Sequence, residues 1–224
     1  MLETKKQGLL IVISGPSGAG KGTICAELLK RNKNLWKSVS MTTRKPRKGE
    51  VDGVDYFFVS KKEFKENIKE NGLLEHATYA DEFYGTPRSY VLEHLNKGED
   101  VILEIEIQGA LQIKDVYPQG LFIFILPPSM KTLKKRLENR GTETKEKVLK
   151  RFKRAYQEIN EVTKYNYVVT NDTVENATNK VEAILMAEKC RVDRIEEVYL
   201  DTVEEELHES LVDNKEFSNE VKDF

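Results

Sequence analysis

The chain has 224 residues, 39% of them apolar and 33% charged, with a net charge of −2. The apolar share supports one large α/β domain, or a core with small inserted subdomains. The near-zero charge excludes a bulk field drawing the molecule to DNA, RNA or a membrane surface, so any anion binding falls to local clusters.

The start is short and polar, and the aliphatic run Leu9–Ser14 is strand-sized, too short for a signal or membrane segment. Cys25 and Cys190 lie far apart without metal-type spacing, which predicts reduced thiols and a cytoplasmic protein. The sequons at Asn171 and Asn176 then read as chance matches. His76, His94 and His208 are scattered and form neither a metal nor a Ser-His-Asp pattern.

Leu9–Ser14 reads as a central strand buried on both faces. Glycines follow at once, and Thr23–Lys30 reads as a helix. Val101–Glu106 and Leu121–Leu126 are further buried strands, and Tyr167–Thr170 is a weaker one. Helical patterns over Ser129–Asn139, Lys145–Glu161 and Val174–Arg194 separate them. This alternation predicts an α/β three-layer fold, a central, mostly parallel sheet with helices on both faces. From Ser38 to Gly98 the strand-like pieces are shorter (Tyr56–Val59, Leu74–Tyr79), with turn signals at Gly49, Gly53, Gly72 and Gly85, which reads as an inserted α+β subdomain. Lys131 to Lys164 is basic and helical, broken at Gly141, and reads as a mobile lid. Beyond Ile195 the acidic run around Glu204–Glu206 reads as an exposed helix fraying into a tail. The expected division is a core of 1–38, 99–130 and 165–195, an insert of 39–98, a lid of 131–164 and a tail of 196–224.

Gly15, Pro16, Ser17, Gly18, Ala19, Gly20, Lys21, Gly22 and Thr23 lie between the first strand and the first helix, where a P-loop belongs. Glycines let successive backbone N–H groups turn inward around phosphates, the helix N-terminus adds partial positive charge, and Lys21 reaches the β- and γ-phosphates. The usual pattern has Ser or Thr directly after the lysine, touching Mg²⁺. Here Gly22 fills that place and the hydroxyl comes on Thr23, so the ion is expected to keep more of its waters. Glu104 and Glu106 alternate on the strand Val101–Glu106 and are expected to share one face, in a Walker-B-like role near Mg²⁺ and substrate.

The acceptor is signalled in the insert. SVSMTTRKPR from Ser38 to Arg47 and GEVDGVDYFF from Gly49 to Phe58 are followed by EHA at Glu75, YGT at Tyr84 and QGA at Gln108. PPS at Pro127, RGTE at Arg140 and VTND at Val169 complete the set. In order and separation these motifs resemble the guanylate kinases of the P-loop nucleoside monophosphate kinase superfamily, from about Gly8 to Arg194. The resemblance implies phosphoryl transfer from ATP to GMP with Mg²⁺, and a GMP-binding insert beneath a helical lid.

It also implies roles. Arg44, Arg47, Tyr56 and Tyr84 would hold the GMP phosphate, while Ser40, Glu75 and Thr86 would read guanine. Glu104 and Glu106 stand where the family often has aspartates. Arg140 and Arg151 would join Lys21 and Arg44 around the transferring group, with Arg136 nearby. Asn171 and Asp172 would lie on the adenine side. A carboxylate at Glu75 accepts guanine's two adjacent N–H donors and faces a lone pair in adenine, so an unpaired site rejects the wrong base. The Gly22-Thr23 pair looks more like adenylate kinases, which keeps AMP or a pyrimidine monophosphate open as acceptor, and dGMP beside GMP. A catalytically silent scaffold module is the other alternative, against which the intact Lys21, Arg44 and Arg151 argue. No nucleic-acid or membrane partner is expected, and a monomer and a homodimer both remain open.

Overall fold

The computed structural model describes residues 2–4, 7–79, 81–138 and 145–198. Its elements begin with β1 (Leu2–Thr4), β2 (Leu10–Ser14), α1 (Lys21–Arg31), β3 (Leu35–Lys37), β4 (Met41–Thr42), β5 (Phe57–Phe58), α2 (Lys61–Lys69), β6 (Leu73–Tyr79), β7 (Glu82–Pro87) and α3 (Arg88–Asn96). They continue with β8 (Asp100–Glu104), α4 (Ile107–Val116), β9 (Leu121–Leu126), α5 (Met130–Glu138), α6 (Lys145–Ile159), β10 (Tyr167–Thr170), α7 (Val174–Lys189) and β11 (Ile195–Val198). The chain divides into a unit of residues 6–185 and a unit of 1–5 with 186–224.

In the larger unit a five-stranded sheet runs β10-β9-β2-β8-β3, every pair parallel. The aliphatic run of β2 is buried at all of its positions because both faces are covered. Alternation along the strand then divides the core. Ile11 and Ile13 pack with Ile24, Cys25 and Leu28 of α1 and Ala177 and Val181 of α7. Leu10 and Val12 pack on the other face with Val91 and Leu95 of α3 and Ala110 and Ile113 of α4. Three layers result, with the P-loop at the carboxyl end of the central strand, the usual place for a ligand in such sheets.

The strand expected over Val101–Glu106 ends at Glu104, and Glu106 is the N-cap of α4. The two carboxylates therefore belong to different elements and do not share a strand face. The edge strand β3, only three residues long, gave no pattern in the sequence.

The insert is a four-stranded sheet in the order β5-β4-β7-β6, covered by α2. Phe64 of α2 stacks on Phe83 of β7 at 5.4 Å, and the Ser60 hydroxyl caps the helix by accepting the Glu63 N–H at 3.1 Å. Helix α3, inside the expected insert, packs instead on the central sheet through Val91 and Leu95. The expected lid folds as α5 and α6 around a small core of Leu133, Leu137, Val148 and Ala155. Residues 139–144, Arg140 among them, lie outside the described residues.

In the smaller unit β1 and β11 pair antiparallel. The helix expected to reach Arg194 ends at Lys189. Glu188, 2% exposed, accepts from Arg194 Nη2 at 3.0 Å. The expected tail helix falls on residues outside those described, apart from the strand Ile195–Val198.

Candidate active site

The P-loop wraps tightly because two of its glycines are irreplaceable in space. Gly15 has φ 138°, and a Cβ there would lie 2.3 Å from the Ile125 carbonyl oxygen of β9. Gly20 has φ 94°, and its Cβ would meet Asn171 Nδ2 at 2.2 Å. Any side chain at either position collides and is strained in the left-handed region. The close approach at Gly20 serves Asn171, the residue after β10, which donates from Nδ2 to the Ala19 carbonyl at 2.7 Å. Arg136 of α5 donates to the same carbonyl at 3.2 Å and to Asn171 O at 3.1 Å. Asp172 turns toward α7, its Oδ1 accepting the Thr173 N–H at 2.8 Å. That bond holds its carboxyl below the usual range.

The loop opens onto the first turn of α1, whose N–H groups and dipole suit an anion. Lys21 Nζ folds back over the loop, 2.6 Å from Gly15 O and 3.4 Å from Pro16 O. Arg151 of α6 reaches Ser17 Oγ at 2.6 Å. Lys21, Arg136 and Arg151 thus converge on one short loop, each donating to one of its oxygens. Thr23 is exposed on the same turn.

Glu104 ends β8 beside that turn, with Oε1 3.1 Å from where a Cβ on Gly22 would stand. Its Oε2 accepts from Lys37 Nζ of β3 at 2.6 Å. Burial works against the Lys37 charge, but Glu104 outweighs it and the ammonium titrates above its ordinary value. Glu106 instead faces Arg154 Nη2 at 3.7 Å, and Arg154 Nε donates to Glu158 at 2.7 Å. Burial raises the Glu158 carboxyl.

The insert brings a second set together. Arg44 forks onto Glu50, with Nη1 and Nη2 at 2.6 and 2.7 Å from its two oxygens. The guanidinium lies 4.7 Å over the Tyr56 ring, and Tyr56 meets Tyr84 edge-on at 6.1 Å. The Arg47 backbone N–H also donates to Glu50, at 2.7 Å, while its side chain is exposed. The Arg44 fork holds the Glu50 carboxyl down at about 2. Ser40 borders this set, its carbonyl accepting the Phe57 N–H at 2.9 Å.

Deeper in the insert, Glu75 of β6 is 5% exposed and accepts from the buried Thr86 hydroxyl of β7 at 2.7 Å. Its other oxygen lies against Gly109 of α4, where a Cβ would stand 2.3 Å away. Burial pushes the Glu75 carboxyl up to about 7, against the pull of the Thr86 bond. An ionised carboxylate there has no cation beside it among the described residues and calls for donors from a ligand.

Three residues of this arrangement escaped the sequence reading. Lys37 sits in a strand too short to show a period. Glu50 was read only as part of a motif, and its ion pair closes across a loop. Gly109 carried a signal, a glycine inside a helical run, whose reason appears only once Glu75 is placed beside it. Among the described residues no group of three or more His, Cys, Asp or Glu could hold a metal ion. A Mg²⁺ ion needs no such group, since it is held by one or two carboxylates plus substrate phosphates and waters. Glu104 at the P-loop turn fits that requirement.

The family model described as guanylate kinase matches residues 7–188. The chain is 58% identical over 206 residues to the guanylate kinase of Caldanaerobacter subterraneus subsp. tengcongensis, covering 92% of this chain and all 100% of that relative. It is 60% identical over 208 residues to the guanylate kinase of Clostridium tetani, covering 93% and 100%. Among solved structures it is similar to the guanylate kinase of Anaplasma phagocytophilum, with a TM-score of 0.72 and 33% identity over 93% of this chain and 97% of that one.

Proposed function

The chain belongs to the guanylate kinase family, and from that premise we propose how its residues divide the work. It is a nucleoside monophosphate kinase that transfers the terminal phosphoryl group of ATP to GMP, giving ADP and GDP.

The ATP polyphosphate lies in the loop from Gly15 to Thr23, with Lys21 on its β- and γ-phosphates and Arg136, Asn171 and Asp172 on the adenine side. The GMP phosphate lies among Arg44, Arg47, Tyr56 and Tyr84. Ser40, Glu75 and Thr86 read the guanine, with Glu106 and Glu104 between the two sites. Residues 39–87 act as the GMP-binding insert and 131–164 as the lid. The enzyme works in the cytoplasm, as a monomer or homodimer; among the described residues no helix is long and apolar enough to cross a membrane.

No general base is required, because a phosphate monoester is already a dianion near neutral pH. One oxygen of that dianion bonds to the γ-phosphorus as the bond to the β–γ bridging oxygen breaks, and the electron pair leaves with ADP. Catalysis is then positioning and charge stabilisation. Lys21, Arg44, Arg140 and Arg151 surround the transferring group, and the closing lid excludes water. Mg²⁺, held by the nucleotide phosphates with Glu104 and, through water, Thr23, would neutralise charge developing on the transferred oxygens.

One observation carries the choice of GMP: the buried Glu75 carboxylate, paired with the Thr86 hydroxyl and lying against Gly109. It offers acceptors where guanine has donors and repels the lone pair of adenine. A coupled assay across GMP, dGMP, AMP, CMP and UMP tests the reading. GMP is expected to be the best acceptor, and a better rate with AMP or a pyrimidine nucleotide would sink it.

A further inference from the structure

The P-loop of this chain lacks the hydroxyl that ordinarily comes directly after the lysine, because Gly22 stands there. The space beside Gly22 is not empty. Glu104 Oε1 lies 3.1 Å from where a Cβ would be built, so an oxygen reaches this turn from β8 and not from α1. A side chain at residue 22 would crowd the carboxylate, so the two positions answer each other. The second oxygen of Glu104 is 2.6 Å from Lys37 Nζ, which reaches across from the neighbouring strand, where Lys37 lies opposite Ile102.

This pair does little for stability, since its side chains are 41% and 22% exposed and such pairs are weak. Its chemistry is that of a place-holder. A lysine ammonium is a compact point charge without the fixed fork of arginine, so a small hydrated cation can replace it on a carboxylate.

Resting on the phosphoryl-transfer reading above, we infer that the Glu104 carboxylate takes the place of the missing P-loop hydroxyl, and that the Lys37 ammonium keeps that place until a divalent cation arrives. Cation binding then displaces Lys37 from Glu104. The lysine sets the affinity for the ion as a competitor and contributes no ligand of its own.

Mn²⁺ binding to the ADP-loaded protein, read from the loss of the free-ion spin-resonance signal, tests this without turnover. Lys37→Gln removes the competitor and is expected to bind Mn²⁺ roughly tenfold more tightly. Lys37→Arg keeps the charge and adds the fork, so it should bind Mn²⁺ more weakly than the wild type does. Glu104→Gln should bind more weakly, and adding Lys37→Gln to it should change nothing further. Gly22→Ser in a Glu104→Ala background should bind more tightly than Glu104→Ala alone, because it restores the hydroxyl where no carboxylate crowds residue 22. Unchanged or weaker binding in Lys37→Gln overturns the competition, as does a full gain in the Glu104→Gln background. No recovery with Gly22→Ser overturns the replacement of the hydroxyl. A wild type that does not prefer GMP in the acceptor assay would sink the function reading separately, and would leave these ion affinities interpretable.

Discussion

Glu75 shows most sharply what a functional group costs its own protein. Its carboxyl is pushed from 4.5 to about 7 by burial. A raised folded-state value means that stability is fully present below about 4.5 and is lost as pH rises through about 7. Glu75→Gln removes the ionisation and keeps an acceptor for Thr86. In urea unfolding the variant is therefore expected to match the wild type at pH 4 and to exceed it at pH 8, by up to about 3 kcal/mol. The same substitution should raise KM for GMP far more than KM for ATP, which separates the functional cost from the structural gain. Gly109→Ala should give a similar KM split through a different cause, because its Cβ would collide with Glu75 Oε2 at 2.3 Å. Glu50→Gln should make inorganic phosphate about a tenfold stronger inhibitor with little change in KM for ATP, because Arg44 loses the counter-charge that an anion must displace.

At the scale of elements, the P-loop is held by α5 and by the turn between β10 and α7, through Arg136 and Asn171. Asn171→Ala should destabilise the fold by about 1 kcal/mol, since the Ala19 carbonyl loses the shorter of its two donors and keeps Arg136, and should raise KM for ATP. Thermal unfolding and steady-state kinetics on one preparation check both. The elements legible in the sequence were those whose periodicity is set by burial on a single scale. The runs Leu9–Ser14 and Leu121–Leu126 became β2 and β9 within a residue, because strands covered on both faces must be aliphatic throughout, and Tyr167–Thr170 became β10 at the sheet edge, where only Val169 is buried. The strand drawn to Glu106 overran by two residues, because Ile105 continues the apolar pattern while the backbone has already turned into α4. Helix α3 was absorbed into the insert for a comparable reason: where it docks depends on Val91 and Leu95 meeting a distant sheet. On the site, motif spacing pointed to Arg44, Glu75 and Lys21. It said nothing of Glu50 and Lys37, which matter through contacts made across the fold.

For the molecule as a whole, the arginines proposed to meet the transferring phosphoryl group stand on two separate pieces, the insert and the α5–α6 pair. With both nucleotides bound, these are expected to draw together over the P-loop, reducing the radius of gyration in solution scattering relative to the free enzyme; identical curves would exclude closure. The free enzyme has a further property, set by where its cations rest. Arg44 is matched by Glu50 and Lys37 by Glu104. Both cations thus hold built-in counter-charges, and at Arg44 an arriving phosphate is expected to take part in an ion exchange and not in a simple capture. Stray inorganic phosphate, offering one small anion and no base, must break such a pair with nothing further to gain. A nucleotide brings enough additional contacts to make the exchange worthwhile, so Glu50 is expected to act as a threshold against the commonest bystander anions of a cell.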